Sequence, residues 1–240
     1  MTTARPAQPP DYPAPFFRLP DIPEKHPDDM TSVQHLHEPG HTHHLSQYLG
    51  NPDTTLVTGE RYVILGPDFD ASDCRYPDLL VAFDVDPAAY LARNGYMIVE
   101  QGKPPDFILE VASRYSANSD RGVKKDYYER LRVGEYWLFD SVGEFYGFVL
   151  KGYRLVDGRY EEIEAQEVRP RVFEGYSAAL NLILRVEDGV LGLYDPATGE
   201  HIPTFQSERA RAESAEARAD AAETRARELE AEIRRLRAGG

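Results

Sequence analysis

Cysteine is almost missing from this 240-residue chain: Cys74 is its only example. One thiol permits no internal disulfide and no cysteine-rich zinc cluster. Long apolar runs are missing as well, since no stretch approaches the roughly 20 residues of a membrane-crossing helix. The proline-rich start lacks the apolar segment of a secretory leader, so a soluble, cytoplasmic protein is expected. Positive charge is the third shortage, with 27 Lys and Arg against 41 Asp and Glu and a formal net charge of -14. This balance argues against a protein that coats nucleic acid without specificity, because neutralising phosphates takes clustered cations. It leaves room for a nuclease, whose metal-binding carboxylates are themselves acidic and whose cationic surface is local.

What the chain does contain falls into three textures. Residues 1–45 carry Pro6, Pro9, Pro10, Pro13, Pro15, Pro20, Pro23 and Pro27 with few periodic apolar positions, and read as an irregular arm. Its histidines, His35, His37, His41, His43 and His44, flank Pro39-Gly40. That break fixes no ligand geometry, and a solvated linker is expected there rather than a transition-metal site. Residues 46–205 read as the folded domain. Residues 207–240 are rich in Ala, Arg and Glu, and Ala212, Ala215, Ala219, Ala222, Ala226, Leu229, Ile233 and Leu236 recur in alternating steps of three and four. This is a heptad seam on a continuous helix, a coiled-coil element without an obvious partner in its own chain, so a homo-oligomer is expected through it. A single charged helix in solvent is the alternative.

Within the middle region, strands are expected at 55–65, 78–85, 98–99, 107–111 and 135–140. A meander follows at 145–150, 153–156 and 160–163, with turns at Lys151-Gly152 and Asp157-Gly158. A helix capped by Ser119 or Asp120 runs to about Arg132. Strands, a helix and further strands predict an α/β class with a mixed sheet flanked by helices.

Two of those strands carry acids. Residues 76–83 read Tyr-Pro-Asp-Leu-Leu-Val-Ala-Phe, and residues 105–113 read Pro-Asp-Phe-Ile-Leu-Glu-Val-Ala-Ser. A carboxylate inside an apolar strand is costly to bury unless it is paired or binds a metal. Asp106 and Glu110 share a face but stand about 13 Å apart along the strand, at roughly 3.3 Å per residue, and cannot share one ion. Glu110 therefore needs a partner from a neighbouring strand, and Asp78 is the candidate, both facing one cleft. Asp106 reads as the first residue of its strand, an accessory acid at most. On the helix, Lys124 shares a stripe with Tyr128 and Leu131, whereas Arg121, Lys125, Glu129 and Arg132 share a charged one. Lys124 is thus carried toward the sheet and Lys125 toward solvent. In the alternative, Lys124 pairs with Asp120 one turn earlier and reaches water. Arg121, Lys125, Arg130 and Arg132 give the adjacent surface a local positive bias suited to a nucleic-acid backbone.

Together, Pro77-Asp78, the run from Pro105-Asp106 to Glu110-Val111-Ala112-Ser113, Asp120-Arg121-Gly122 with Lys124 and Tyr128, and Glu135-Tyr136-Trp137 resemble the Uma2 family. These are restriction-endonuclease-like proteins of the PD-(D/E)XK nuclease superfamily, and the resemblance spans roughly residues 50–205. It implies a restriction-endonuclease-like core in which Asp78 and Glu110, with the Val111 carbonyl, hold Mg²⁺ or Mn²⁺. It also implies an endonuclease that hydrolyses DNA phosphodiester bonds. The superfamily lysine usually stands two residues after the glutamate, where this chain has Ala112; the resemblance assigns its role to Lys124. Thr55 stands where the family often shows an accessory glutamate, and Glu60 is the candidate replacement. The rival reading is a non-catalytic nuclease fold that binds DNA, or a protein partner through the coiled coil.

Overall fold

The structure, a computed structural model, describes residues 17–25, 30–69 and 74–238. It divides into two compact units, Met1–Ile202 and Pro203–Gly240. Among the described residues no helix is long and apolar enough to cross a membrane.

The apolar runs lie where burial on both faces requires them. In chain order the strands of the first half are β1 (Leu56–Thr58), β2 (Tyr62–Ile64), β3 (Leu79–Ala82), β4 (Gly95–Met97), β5 (Phe107–Val111) and β6 (Glu135–Phe139). Of these, β1, β3, β5 and β6 join β7 (Leu150–Val156) and β8 (Arg159–Ile163) in a six-stranded sheet, ordered β1-β3-β5-β6-β7-β8. Strands β5 and β6 pair in parallel and their neighbours antiparallel, so the sheet is mixed. A parallel pair needs a crossover, here the helical stretch α4 (Ala117–Ser119), a π-helical turn (Asp120–Lys124) and α5 (Lys125–Arg130). Strands β2 and β4 form a separate parallel pair. The remaining helices of this unit are α1 (His41–Leu49), α2 (Pro87–Arg93) and α3 (Ile98–Gln101).

Alternation sorts the side chains of the central strands onto two cores. Leu80, Ala82, Ile108 and Ala112 pack with Tyr127, Tyr128 and Tyr136 beneath the crossover helix. Leu79, Val81, Phe107, Leu109, Val111 and Trp137 pack against a second sheet. That sheet is antiparallel, ordered β12-β11-β10-β9, from β9 (Gln166–Arg169), β10 (Val172–Ser177), β11 (Leu182–Glu187) and β12 (Val190–Tyr194). Trp137 is the sequence's only tryptophan. Its indole lies against bare backbone on both sheets: a Cβ at Gly152 of β7 would come within 2.8 Å of it, and one at Gly175 of β10 within 2.7 Å.

Several elements depart from the sequence-based expectation. Residues 55–65 form two strands rather than one. The chain bends at Gly59, where a Cβ would overlap the Asp78 carbonyl, and at Glu60, whose φ of 57° is left-handed. Residues 98–99 open α3 instead of forming a strand. Residues 145–149 form no strand, and Leu150 opens β7; the loop before β7 winds around Asp140, whose carboxylate accepts N–H bonds from Val142, Gly143, Phe145 and Tyr146. Lys151-Gly152 lies inside β7 rather than in a turn. The histidine-rich stretch is not a solvated linker: Val33–His37 is a π-helical turn, α1 follows, and His41 and His44 are buried. The crossover helix is capped at Ser116 rather than at Ser119 or Asp120, and ends at Arg130, two residues before the expected Arg132.

The second unit is α6 (Phe205–Ala238), 34 residues without a buried side chain. It covers the expected 207–237 in one piece.

Candidate active site

The site begins with sheet register. Leu79 pairs with Leu109 and Leu80 with Ile108, and one further step of this antiparallel ladder sets Asp78 across from Glu110. Both therefore belong to the face under the crossover helix, as neighbours across the strands. Asp78 uses its two oxygens differently. Oδ2 accepts the Val111 N–H at 2.8 Å, while Oδ1 accepts the Lys25 ammonium at 2.9 Å. Lys25 also donates to Glu60 Oε1 at 2.6 Å and to Ser32 Oγ at 3.3 Å, and the Ser32 hydroxyl donates to the same Glu60 oxygen at 2.9 Å.

A second ion group lies beside the first. Lys124 Nζ is 2.8 Å from Glu110 Oε2 and 2.9 Å from Asp120 Oδ1. The Tyr128 hydroxyl donates to Glu110 Oε1 at 3.2 Å, and the Tyr146 hydroxyl to Asp120 Oδ2 at 2.8 Å. The Tyr76 ring belongs to both groups, with Lys25 Nζ 6.0 Å and Lys124 Nζ 5.9 Å from its centroid. Lys124 is thus carried to the sheet and also pairs with Asp120, which the sequence offered as alternatives.

Counted formally, four carboxylates (Glu60, Asp78, Glu110, Asp120) meet two ammoniums (Lys25, Lys124), an excess of two negative charges. The titration behaviour follows. Burial, and then the charges of Asp78 and Asp120, push the Glu110 carboxyl well above the usual range against the pull of Lys124. Burial and Asp78 likewise raise Glu60. Burial alone would lower Lys124, but Glu110, Asp120 and Asp78 outweigh it and hold the amine charged. Buried carboxylates short of positive charge are what a divalent cation relieves. The Glu60 Oε2 atom is buried without a hydrogen-bond partner, which adds an oxygen in want of a cation. Magnesium commonly takes only one or two carboxylates and completes its shell with water. Asp78 and Glu110 supply two carboxylates on adjacent strands, and Glu60 shares Lys25 with Asp78. Among the described residues no three His, Cys, Asp or Glu side chains stand ready as a closed cage; the lysines hold the carboxylates instead.

Of the two carboxylates expected to face one cleft, Asp78 alone lines it: the cleft, of about 300 Å³, is bordered by Lys25, Arg75, Tyr76, Asp78, Val111, Ser113 and Lys124 among others. Glu110 is fully enclosed and stands behind Lys124. The remaining candidates lie elsewhere. Asp106 receives Lys103 and the Phe83 N–H, which fixes the start of β5. Arg121 donates to the Tyr146 carbonyl and to Asn118. Lys125, expected in solvent, is half-buried over the Tyr153 ring at 4.7 Å. Arg130 stacks on Tyr127 at 5.6 Å and lines a separate cavity of about 510 Å³. Arg132 is exposed at the end of the helix, with φ 63°. None of these four cations lines the cleft. Its cations are Lys25, Arg75 and Lys124, and the first two escaped the sequence reading: Lys25 sits in an aperiodic proline-rich arm, and Arg75 had only its closeness to Tyr76-Pro77-Asp78 to recommend it.

Residues 31–185 match the model of the Uma2 family, described as "Putative restriction endonuclease". No curated protein matches the chain.

Proposed function

Because the chain belongs to the Uma2 family, we propose that it is a Mg²⁺-dependent endonuclease acting on DNA phosphodiester bonds, with Mn²⁺ as a substitute ion. The observation that carries this reading is the pair of carboxylates set opposite each other, Asp78 and Glu110, with Lys124 between them and one cleft. Asp78, Glu110 and the Val111 carbonyl would hold the ion. When bound, it supplies Lewis-acid activation of a water and neutralises charge on the scissile phosphate. Lys124 stays charged despite its burial. Released from Glu110, it offers an ammonium to the attacking water or to the pentavalent phosphorus as negative charge accumulates. Arg75 lines the cleft and is the first candidate for a DNA phosphate; Arg121, Lys125, Arg130 and Arg132 are more distant contacts. The reading includes a cytoplasmic location and self-association through α6, whose seam leaves Leu229, Ile233 and Leu236 exposed.

Cleavage of supercoiled plasmid tests the reading. Wild-type protein in Mg²⁺ or Mn²⁺ should nick or linearise it, and EDTA should stop the reaction. Asp78→Asn and Lys124→Ala should each slow it by about 100-fold or more, the scale of losing one transition-state contact. Asp78→Asn cleaving as fast as wild type would end the proposal. The closed Lys124–Glu110 and Lys25–Asp78 pairs favour a second reading, a non-catalytic module that binds DNA or a protein. Wild-type protein that retards DNA but leaves it intact with either ion would select that one.

A further inference from the structure

The two oxygens of Asp78 are held by different groups. Its Oδ2 is committed to the Val111 N–H, which leaves Oδ1, and Lys25 Nζ sits 2.9 Å from that atom. The same ammonium lies 2.6 Å from Glu60 Oε1. With Ser32 Oγ at 3.3 Å it meets three oxygens from three separate segments. The lysine side chain is only 19% exposed, so it does not lie on the surface as a screened partner. It fills the position that a cation bound by Asp78 and Glu60 would take.

The segment bearing Lys25 is pinned at its other end. Leu19 is buried, its N–H donates to the Arg93 carbonyl at 2.8 Å, and Asn94 Nδ2 donates to the carbonyls of Leu19 and Pro20 at 3.1 and 3.2 Å. Arg93 Nη1 adds a bond to the Phe17 carbonyl at 3.1 Å. These contacts are independent of Lys25, so its amine can leave the carboxylates while the arm keeps its hold at Phe17–Pro20. Magnesium or manganese would bind Asp78 Oδ1 at roughly 2.0–2.2 Å. A second cation hydrogen-bonded to the same oxygen would face it at close range in a poorly solvated place, and the two positive charges exclude each other.

We propose that Lys25 is an intramolecular competitor for the divalent ion: its ammonium occupies Asp78 Oδ1 and Glu60 until the ion displaces it, and loading the site frees the Lys25 amine. This rests on the metal reading of the site. The competition scales the apparent affinity for the ion by the fraction of molecules in which Lys25 is not seated. It makes occupancy of the site and exposure of the Lys25 amine two sides of one equilibrium.

Two measurements on the full chain test it, with Mn²⁺ as the probe. In calorimetric titration, Lys25→Met should bind Mn²⁺ about 10-fold more tightly than wild type, within the 5–150-fold range typical of coupled ligands, while Asp78→Asn should lose the binding. Equal or weaker binding by Lys25→Met, with wild type still binding, overturns the role of Lys25 alone. Absence of Mn²⁺ binding from both proteins overturns the metal reading and this proposal together. The second measurement needs no variant and stands even if Lys25→Met fails to fold: acylation of wild-type lysines by an amine-reactive ester, read by mass spectrometry. Modification of Lys25 should rise several-fold on adding Mn²⁺ while Lys151, on β7, stays constant. An unchanged or falling Lys25 yield overturns the proposal.

Discussion

Glu110 and Glu135 stand on neighbouring parallel strands, both enclosed, with opposite surroundings. Glu135 faces the second sheet, where its carboxylate accepts the Trp137 indole N–H at 3.0 Å, the Ser177 hydroxyl at 2.6 Å and the N–H groups of Ala178 and Ala179 at 2.9 and 3.2 Å. Its oxygens are fully used, and its role is to tie β6 to the turn after β10. Glu110 faces the crossover helix and meets one lysine and one tyrosine. Replacing Glu135 by Leu strands the buried donors of Trp137 and Ser177 and two partly buried N–H groups, so urea unfolding should show a loss of about 2 kcal/mol or more. A change below about 1 kcal/mol would mean that the turn re-pairs elsewhere. Sequence alone made Asp78, Glu110 and Lys124 legible, because a carboxylate in an apolar strand and a lysine on an apolar helical stripe each stand out against a regular period. Lys25 had no such background. Asp120 was legible only as a local partner of Lys124; its enclosure by the Tyr146 hydroxyl depends on a loop 26 residues away.

Among the elements, α1 shows how a histidine-rich stretch becomes structural. The buried His41 ring lies 3.0 Å from the Leu191 carbonyl through Nε2. A carbonyl only accepts, so the neutral ring carries its proton on that nitrogen and joins α1 to β12. Burial lowers the His41 pKa from 6.5 to about 4. The folded state therefore binds fewer protons than the unfolded chain between those values. The stability from keeping His41 neutral is complete above pH 6.5 and is lost as pH falls toward 4, on the order of 3 kcal/mol in all. Urea midpoints should fall between pH 7 and pH 5, and His41→Gln should flatten that dependence; an equal slope in the variant would assign it to other groups. The helix itself was hidden by Pro39-Gly40, which reads as a break and is in fact the bend before α1, with Gly40 at φ 81°. Strands β5 and β6 were legible as apolar runs each carrying a single glutamate. Leu182, Leu184 and Val186 of β11, with Leu191 and Leu193 of β12, alternate as a half-buried sheet requires. That signal lay past the meander, where the sequence reading placed no strands. Residues 98–99 show the reverse case: two β-branched residues suggest a strand, and tertiary context makes them the start of α3.

At the scale of the molecule, charge and self-association belong together. Helix α6 is stabilised along its own length by pairs such as Arg209–Glu213 and Arg227–Glu223, worth a few tenths of a kcal/mol each. Its seam is mostly alanine, which buries little, whereas Leu229, Ile233 and Leu236 each offer about 1.5–3 kcal/mol on full burial. Light scattering should give an oligomer for the full chain and a monomer for a version ending before Ser207; equal monomeric masses would leave α6 as a solvated helix. The position of Trp137 has a consequence of another kind. The chain has one indole fluorophore, and it sits between Gly152 and Gly175 with its N–H on the Glu135 carboxylate. Its emission therefore gauges the seal between the two sheets, while the aromatic ring beside both site lysines is that of Tyr76. Excitation at the red edge of the absorption band, which passes over the chain's 15 tyrosines, therefore follows separation of the sheets without a signal from the cleft.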